Sequence, residues 1–284
     1  MATPDPRRLP PDPFDRAALA RNAARAARLG VEGADFLLAL ATDDLVQRLE
    51  AVERRFERAI VLDPILAATV RRIDEAHNVG AAEAAGTEPD GRLPLAPESC
   101  DLIVSLMTLH VAADVPGTLA QIARALRPDG LFLASFPGGQ TLGELRDAFL
   151  SAEAAGTGGA SPRVFPFIDV RDGGALLQRA GLALPVADVD RLTVRYDTPL
   201  DLMRELRAMG MGNALAERSR RFLGRETLAS VLQAYAGGAT DPDGRIRATF
   251  DLVSLSGWKP HSSQQKPLAP GSATLKLKDA LSRG

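Results

Sequence analysis

The segment Asp101–Arg146 decides the fold; it opens with DLIVSLMTLH and closes with LAQIARALRPDGLFLASFPGGQTLGELR. The apolar runs Asp101–Met107 and Leu131–Phe136 predict two buried strands. Between them, apolar residues recur at helical spacing over Pro116–Leu126, and Thr141–Ala155 predicts a second helix. Strands that alternate with helices are typical of parallel strands joined by crossovers, so we expect an α/β sheet with helices on its faces.

The turn Arg127-Pro128-Asp129-Gly130 is predicted to stop the first of these helices. Proline disfavours helix at the residue before it, and glycine tolerates the turn. In α/β sheets, ligands bind beyond the carboxyl ends of the strands. Here those ends are Ser105–His110 and Ser135–Gln140, so we expect the functional site between them.

Composition excludes several classes of function. The chain has 284 residues, 45% of them hydrophobic, and a net charge of −2, which makes no electrostatic case for nucleic acid. The single cysteine, Cys100, excludes an internal disulfide, and the three histidines lack metal-ligand spacing, so we predict no metal site. No run is typical of a membrane helix, and the N-terminus has no apolar signal segment. We therefore expect a reducing, cytoplasmic location.

The remaining sequence divides into four regions. Residues 1–13 are proline-rich and predicted to be disordered, and 14–57 are predicted to form a helical segment. The α/β domain is expected over 58–260, with a helical insertion at about 198–240 before the last strand. A polar tail is predicted over 261–284.

Several segments carry a resemblance that goes beyond the fold class. Together with the strand end SLMTLH and the turn LRPDGLF, they resemble the type 11 class I S-adenosylmethionine-dependent methyltransferases, and among these the family of the mitochondrial complex I assembly factor five. The resemblance spans nearly the whole chain and implies a Rossmann-like sheet of seven strands whose last strand is antiparallel. The segments are GGQTLGELR at 138–146, SPRVFPF at 161–167, LLQRAGL at 176–182, LMRELRAMG at 202–210 and SGWKPHSSQQKPLAPGSA at 256–273.

The resemblance also implies a function in the maturation of respiratory NADH dehydrogenase, complex I. The family is associated with modifying an arginine of a complex I subunit, by methylation or by hydroxylation, so the reaction stays open. S-adenosyl-L-methionine is the implied cofactor, a protein is the implied substrate, and membrane contact is expected only through a partner. The alternative is a binding protein of the same fold that has lost cofactor capture and supports assembly without catalysis.

The largest departure from the methyltransferase pattern follows the predicted first strand, Ala59–Leu62. Glycines at this point let the backbone approach the cofactor, but Asp63-Pro64-Ile65 follows here, and no glycine occurs between Gly33 and Gly80. Either Asp63 ends the first strand and the loop has been replaced, or this is the family's second strand and Asp63 accepts hydrogen bonds from the ribose. A third interpretation, which we weigh above the ribose role, makes Asp63 a helix N-cap.

The candidate site residues lie at the predicted strand ends. His110 is the catalytic candidate, because the ordinary pKa of histidine suits a general base, although a histidine bonded to the backbone explains it equally well. The Ser105–Met107 backbone can line a pocket, and Gly138-Gly139 supplies a permissive turn. The candidate cofactor-binding residues are Asp63, Ser105, Leu106, Met107, Gly138 and Gly139.

Other polar residues have simpler explanations. Thr141 and Glu144 have the spacing of a capping box, and Arg146 is expected to be an exposed helix charge. Arg163, Arg204 and Arg207 are candidates to line a groove for a partner. The remaining basic cluster is expected to be a solvated turn; it comprises Arg218, Arg220, Arg221 and Arg225.

Overall fold

The computed structural model describes residues 11–63, 65, 67–155 and 159–265. The expected disorder of the N-terminus concerns mostly residues outside this part of the chain, as does most of the predicted polar tail. The strands are β1 (Ala59–Leu62), β2 (Ala82–Ala85), β3 (Cys100–Leu106), β4 (Leu126–Gly138), β5 (Ala183–Tyr196) and β6 (Ile246–Trp258). The helices are α1 (Arg16–Leu29), α2 (Phe36–Glu50), α3 (Ala67–Asp74), α4 (Val115–Ala125), α5 (Gly143–Ala154), α6 (Val170–Arg179), α7 (Pro199–Ala208) and α8 (Arg225–Ala239), with a 3-10 turn at Leu109–Val111.

The described strands form one sheet in the order β2-β1-β3-β4-β6-β5. Strands β2, β1, β3 and β4 are parallel, and β6 runs antiparallel to both β4 and β5. The prediction of an α/β sheet with an antiparallel last strand is therefore confirmed. The described residues supply six of the seven strands that the resemblance implied. Along the chain, β2 is the one described strand between β1 and β3.

Two hydrophobic cores cover the two faces of the sheet. Side chains alternate along β3, so Leu102 and Val104 face the core that includes α2, α5, α7 and α8. Ile103 faces the core built with α4 and α6, where it meets residues such as Ile122 and Leu177. Every residue of β3 is buried. This two-sided burial explains why the strand is an unbroken apolar run rather than an alternating one.

The turn at 127–130 behaves differently from the prediction. Helix α4 ends at Ala125, as expected, but β4 begins at the next residue and includes the whole Arg-Pro-Asp-Gly segment. Cys100 pairs with Leu126, and the register shifts before Leu102 pairs with Leu131, so β4 bulges here. Asp129 lies in the left-handed region, with φ of 63°. The bulge accommodates the extra residues of β4, and pairing with β3 resumes at Leu131.

The predicted capping box on α5 is wrong. The Thr141 hydroxyl donates to the Gly138 carbonyl at 2.7 Å and to the Asp251 carbonyl at 3.1 Å, and it accepts from the Asp251 amide. Glu144 instead accepts from the backbone amide and hydroxyl of Thr249. Both side chains therefore join the start of α5 to β6, a tertiary contact that outweighs the local one.

Among the described residues, none of the helices has both the length and the apolar character that a membrane crossing demands.

A buried carboxylate holds the beginning of β1 against β3. Asp101 is 5% exposed and accepts hydrogen bonds from the backbone amides of Glu57 at 2.8 Å and Arg58 at 2.9 Å. The Asp101 carboxylate, on β3, thus supplies the hydrogen-bond acceptors for the two amides that precede β1. Removing it would leave two partly buried amides without this acceptor.

We expect Asp101→Ala to lower the free energy of unfolding by about 2–4 kcal/mol, since each stranded buried amide costs about 1–3 kcal/mol. Urea unfolding followed by circular dichroism measures the change. Asp197→Ala is the control, because the Asp197 side chain is 83% exposed and lies 3.3 Å from Arg245. The control should change stability by less than about 0.5 kcal/mol. Equal effects of the two substitutions would contradict this role of Asp101.

Candidate functional site

The carboxyl ends of the central strands meet at one edge of the sheet. Leu62 pairs with Ser105, and Leu106 pairs with Ser135, so the ends of β1, β3 and β4 are adjacent. This is the edge at which ligands bind in parallel α/β sheets. Asp63, Ser105–Met107 and the end of β4 are therefore brought together, as the sequence predicted.

Asp63 ends the first strand of the sheet. β1 lies between β2 and β3, which identifies it as the central first strand and excludes the second-strand interpretation. Asp63 has a φ of 43°, and its carboxylate accepts from the Thr87 backbone amide at 2.7 Å and from the Thr87 hydroxyl. Among the described residues it caps no helix. Its carboxylate instead ties the end of β1 to the segment after β2.

The described residues at this edge do not fit S-adenosylmethionine in the manner that the fold implies. The segment after β1 contains no glycine, and Ile65 projects into solvent with 54% of its surface exposed. The segment after β2 is Gly86-Thr87, which offers no carboxylate to the hydroxyls of a ribose. The Asp63 carboxylate is already bonded to Thr87. We derive no chemical step through this cofactor.

The residues at the end of β3 are committed mainly to the fold. The Ser105 and Thr108 hydroxyl oxygens lie 3.1 Å apart, and Leu106 is buried in the core. Met107 has a φ of 58°, and its amide donates to the Ser135 carbonyl at 2.8 Å. A non-glycine residue in this region marks a strained turn, which redirects the chain toward His110. Their role in binding a cofactor stays a prediction.

Gly138 and Gly139 are required by packing. A Cβ on Gly138 would lie 2.4 Å from the Val253 side chain and 2.8 Å from the Ile168 carbonyl. Gly139 has a φ of 50°, and a Cβ there would lie 2.7 Å from an Asp251 carboxylate oxygen. The close approach of β6 and the 168 loop therefore explains both glycines without a ligand.

Asp251 is the anchor of this corner. It is buried, accepts from the Gln140 amide at 2.9 Å, and accepts from the Arg191 guanidinium at 2.7 Å. Burial opposes ionisation, but the Arg191 hydrogen bond and the Gln140 amide together hold the pKa of the Asp251 carboxyl below its ordinary value. The carboxylate therefore fixes the turn after β4 as an ion.

Gly138→Ala should lower the free energy of unfolding by about 1–3 kcal/mol, because the new methyl group overlaps Val253 and the backbone of the 168 loop. Thermal and urea unfolding measure it. Gly237→Ala in α8 is the matched control, since a Cβ there meets nothing within 4 Å. In a helix that change should stabilise by up to about 1 kcal/mol. A neutral Gly138→Ala would show that the turn is not closely packed.

His110 lies in the 3-10 turn just after β3, at the same edge. Its Nδ1 atom is buried and has no hydrogen-bond partner among the described residues, which excludes the backbone-bonded interpretation for that nitrogen. Its ring lies 6.0 Å from the Phe167 ring and 6.5 Å from the Phe165 ring, measured between centroids. Burial lowers the pKa of His110 from 6.5 to about 4. The imidazole is therefore neutral near pH 7 and presents an unused nitrogen.

Phe165 and Phe167 were not selected as site residues from the sequence. Phe165 also packs edge-on against Phe14, with centroids 5.1 Å apart, so the start of the chain covers this aromatic group. The Arg16 guanidinium donates to the Val111 carbonyl at 2.9 Å and holds α1 over the histidine turn. The alternating aromatics of SPRVFPF were the available signal, but a loop sequence does not show what its side chains face.

An apolar cleft of about 240 Å³ is lined in part by these two phenyl rings. Helices α5 and α7 form its walls, and the loops around 163–167 and 211–213 close its ends. Its lining is mainly apolar, with two arginines; it includes Leu142, Phe149, Phe167, Met203, Arg163 and Arg207. Of the three arginines expected to line a groove, Arg163 and Arg207 line this cleft, whereas Arg204 is not part of its lining and pairs with Asp201 at 2.6 Å.

Arg146 is not the exposed helix charge that was expected. Its Nε and Nη2 atoms are buried and have no partner among the described residues. The Nη2 atom lies 3.8 Å from the position that a Cβ on Gly143 would occupy, so the guanidinium turns back toward the beginning of α5. These two nitrogens of Arg146 are donors that an acidic group could satisfy.

Cys100 takes no part in the site. The thiol is buried, and burial raises its pKa to about 11, so it stays protonated and weakly reactive. Among residues 11–63, 65, 67–155 and 159–265, no group of three His, Cys, Asp or Glu side chains is arranged to hold a metal ion.

His110 should make the protein less stable as the pH falls. The folded protein keeps His110 neutral down to a pKa of about 4, whereas the unfolded chain binds the proton near 6.5. The unfolded state therefore binds more protons between these values, and stability falls as the pH is lowered through that window. His110→Gln should reduce this dependence, measured as urea midpoints between about pH 7 and pH 4.5. His77→Gln, with a 67% exposed side chain, should keep it. The same slope in all three proteins would contradict a buried neutral His110.

The sheet order, the antiparallel last strand and the site at the carboxyl edge define the class I methyltransferase type of fold. Residues 46–134 match the family described as a methyltransferase domain, in agreement with this fold. Its similarity to particular proteins reaches well beyond that segment.

The curated relatives confirm the resemblance to the complex I assembly factor family. The chain is 39% identical over 183 residues to human arginine-hydroxylase NDUFAF5, mitochondrial, covering 64% of this chain and 53% of that protein. It is 38% identical over 187 residues to the zebrafish (Danio rerio) protein of the same name, covering 66% and 58%. The matched part thus spans little more than half the length of these relatives.

The chain is also similar to an O-methyltransferase and to a solved bacterial structure. The chain is 39% identical over 180 residues to the malonyl-[acyl-carrier protein] O-methyltransferase of Laribacter hongkongensis, covering 63% of this chain and 58% of that protein. Among solved structures, the YcgJ protein of Bacillus subtilis aligns with a TM-score of 0.47 at 13% identity, covering 78% of this chain and 98% of that one.

The expected cytoplasmic location is wrong. It was inferred from the absence of an apolar signal and from the single cysteine, but the NDUFAF5 relatives are named as mitochondrial proteins. Neither feature distinguishes the cytoplasm from another compartment that proteins enter without a secretory signal.

Proposed function

We propose that this protein is a methyltransferase-fold enzyme that acts in the assembly of respiratory complex I by modifying an arginine side chain of a protein subunit. The similarity to relatives named arginine-hydroxylases supports an arginine as the target. The resemblance to the assembly factor family supports complex I as the setting. Because the chain spans only part of these relatives, the proposed activity is argued from the geometry of the candidate site.

The observation that carries the proposal is the neutral histidine packed beside two phenyl rings, which also lie 6.2 Å from each other between centroids. A guanidinium group binds to aromatic faces through cation–π and stacking contacts, and it has only hydrogen-bond donors to offer. Phe165, Phe167 and His110 form one aromatic group, and the His110 Nδ1 atom is buried without a hydrogen-bond partner among the described residues. A guanidinium that enters beside these rings would meet both an aromatic face and an acceptor. Few other side chains would suit this combination as well as arginine.

His110 orients the substrate rather than deprotonating it. A histidine with a pKa of about 4 cannot efficiently take a proton from a guanidinium, whose pKa exceeds about 12. It can accept a hydrogen bond from one N–H and so fix which nitrogen or carbon of the side chain faces the strand ends. The general-base role anticipated from the sequence is therefore replaced by a positioning role.

S-adenosylmethionine is the cofactor that the methyltransferase domain implies, and it would supply a methyl group where it binds. The strand ends at Asp63 and Thr87 do not fit it, as described above. We expect calorimetric titration to give a dissociation constant weaker than roughly 100 μM, or less than about 5.5 kcal/mol of binding free energy. Asp63→Ala should leave that affinity unchanged, because the carboxylate is bonded to Thr87. Tight binding that is lost in Asp63→Ala would contradict this assignment.

Mass spectrometry of complex I subunits tests the function. Cells that lack the protein are complemented with the wild-type chain, with His110→Ala or with His77→Gln, and the subunits of their complex I are digested. We expect one arginine to gain a methyl group or an oxygen atom with the wild type and His77→Gln, and at least tenfold less with His110→Ala. The mass gained identifies the reaction.

Two outcomes would contradict the proposal. If assembly is restored by every variant and no arginine is modified, the protein is a binding factor without catalysis, the alternative that relatives named as enzymes disfavour. If the purified protein methylates malonyl-acyl carrier protein and leaves arginine unmodified, its function follows the O-methyltransferase relatives instead.

A further inference from the structure

The apolar cleft lined by Phe165 and Phe167 is smaller than the usual site of a drug-sized molecule. Its volume is about 240 Å³, whereas ligand sites of drug-sized molecules occupy about 300–1,000 Å³. Its walls are mainly leucine, phenylalanine and methionine side chains. A space of this size and character suits one or two apolar side chains, the kind of anchor that dominates protein interfaces.

The two arginines that line the cleft have different environments. Arg163 is neutralised by the buried Glu153, with Nη2 and Oε1 2.5 Å apart, and its guanidinium lies 5.4 Å from the centre of the Phe149 ring. Arg163 is therefore part of the wall. Arg207 is exposed at the mouth and forms no ion pair with any described residue. Its charge is open to a ligand.

The loop that precedes α8 extends this mouth. Leu223 lines the cleft, while its neighbour Phe222 is fully exposed, at 103% of its reference surface. Arg221 and Arg225 flank these residues, both exposed and without an ion pair among the described residues. On a chain with a net charge of −2, this is a local concentration of positive charge around exposed apolar surface. We call Arg207, Arg221 and Arg225 the rim arginines.

We propose that the cleft and the rim arginines bind an acidic segment of a protein partner, which inserts an aromatic or leucine side chain into the cleft. Charge complementarity selects the acidic partner, since the rim arginines lack an internal counter-ion. A concave apolar cleft selects a side chain over a membrane surface, which supplies no single anchor to fill it. Phe222 would be covered by the same segment, which accounts for its exposure in the free protein.

The position of the cleft connects this partner to the proposed function, on which this step rests. Phe165 and Phe167 line the cleft, and their ring centroids lie 6.5 Å and 6.0 Å from that of His110. A segment anchored in the cleft would therefore hold a neighbouring arginine close to His110. The partner is then the substrate protein itself, recognised by an acidic and apolar sequence near the modified arginine.

Fluorescence anisotropy with designed peptides tests the docking surface directly. The probe is a labelled peptide with a central Trp-Leu pair flanked by aspartates and glutamates, and its matched control carries lysines at the acidic positions. We expect the acidic peptide to bind, with affinity that falls as salt is raised, and the basic peptide not to bind. Arg221→Glu/Arg225→Glu should weaken binding about tenfold or more.

A charge-matched control separates the rim arginines from a general change in charge. Arg171→Glu/Arg179→Glu alters the net charge equally, but α6 packs on the opposite face of the sheet. It should bind the acidic peptide within about twofold of the wild type. Phe222→Ser, at a fully exposed position that cannot disturb folding, should weaken binding several-fold. His110→Ala should leave peptide affinity unchanged, so failure of the chemistry and failure of docking are distinguishable.

Three results would overturn the inference. Equal binding of the acidic and basic peptides would remove charge selection. An equal loss in the rim and α6 variants would remove the site. Binding to vesicles of phosphatidylcholine with anionic phosphatidylserine, lost in the rim variant and without binding of the peptide, would identify the surface as a membrane contact instead.

Discussion

The structure depends on the burial of β3 from both sides. A strand whose seven residues are all inaccessible to water cannot lie on the edge of a sheet or face solvent on either side. It must be flanked by strands and covered by helices, and the two cores supply those helices. Because the chain enters and leaves such a strand through crossovers, the ends of β1, β3 and β4 gather at one edge, where the candidate site lies.

At this edge, carboxylates join neighbouring strands and turns of the protein. Asp63 ties β1 to Thr87, and Asp251 ties β6 to the turn after β4 and to Arg191. The strained turn at Met107 then directs His110 toward the aromatic loop. The edge keeps the architecture of the fold, and both carboxylates bond to the protein itself.

The binding features lie further along the same edge, toward the helical insertion. α1 covers the aromatic group through Phe14, and α7 and the loop before α8 form the outer wall of the cleft. The His110 ring is followed by the phenyl rings of Phe165 and Phe167. These rings line the apolar cleft, which also contains Arg207. This order suits an extended protein segment better than a compact metabolite.

The sequence by itself determined the sheet, the helices on its faces and the location of the site, because two-sided burial leaves an unbroken apolar run that can be read directly from DLIVSL. It also placed Asp63 and His110 at strand ends. It predicted a permissive turn at Gly138-Gly139, but it could not show Val253, the neighbour that leaves no room for a side chain at Gly138, which is more than a hundred residues away.

Only the tertiary structure decided which polar groups are satisfied. Thr141 and Glu144 have the local spacing of a cap, yet their partners are on β6, and Arg146 has the pattern of a surface charge, yet two of its nitrogens are buried. Local spacing specifies which residues are near one another within a helix or strand. Hydrogen-bond partners and burial depend on segments distant in sequence, and so the neutral histidine, its phenyl neighbours and the cleft emerge only when the chain is folded.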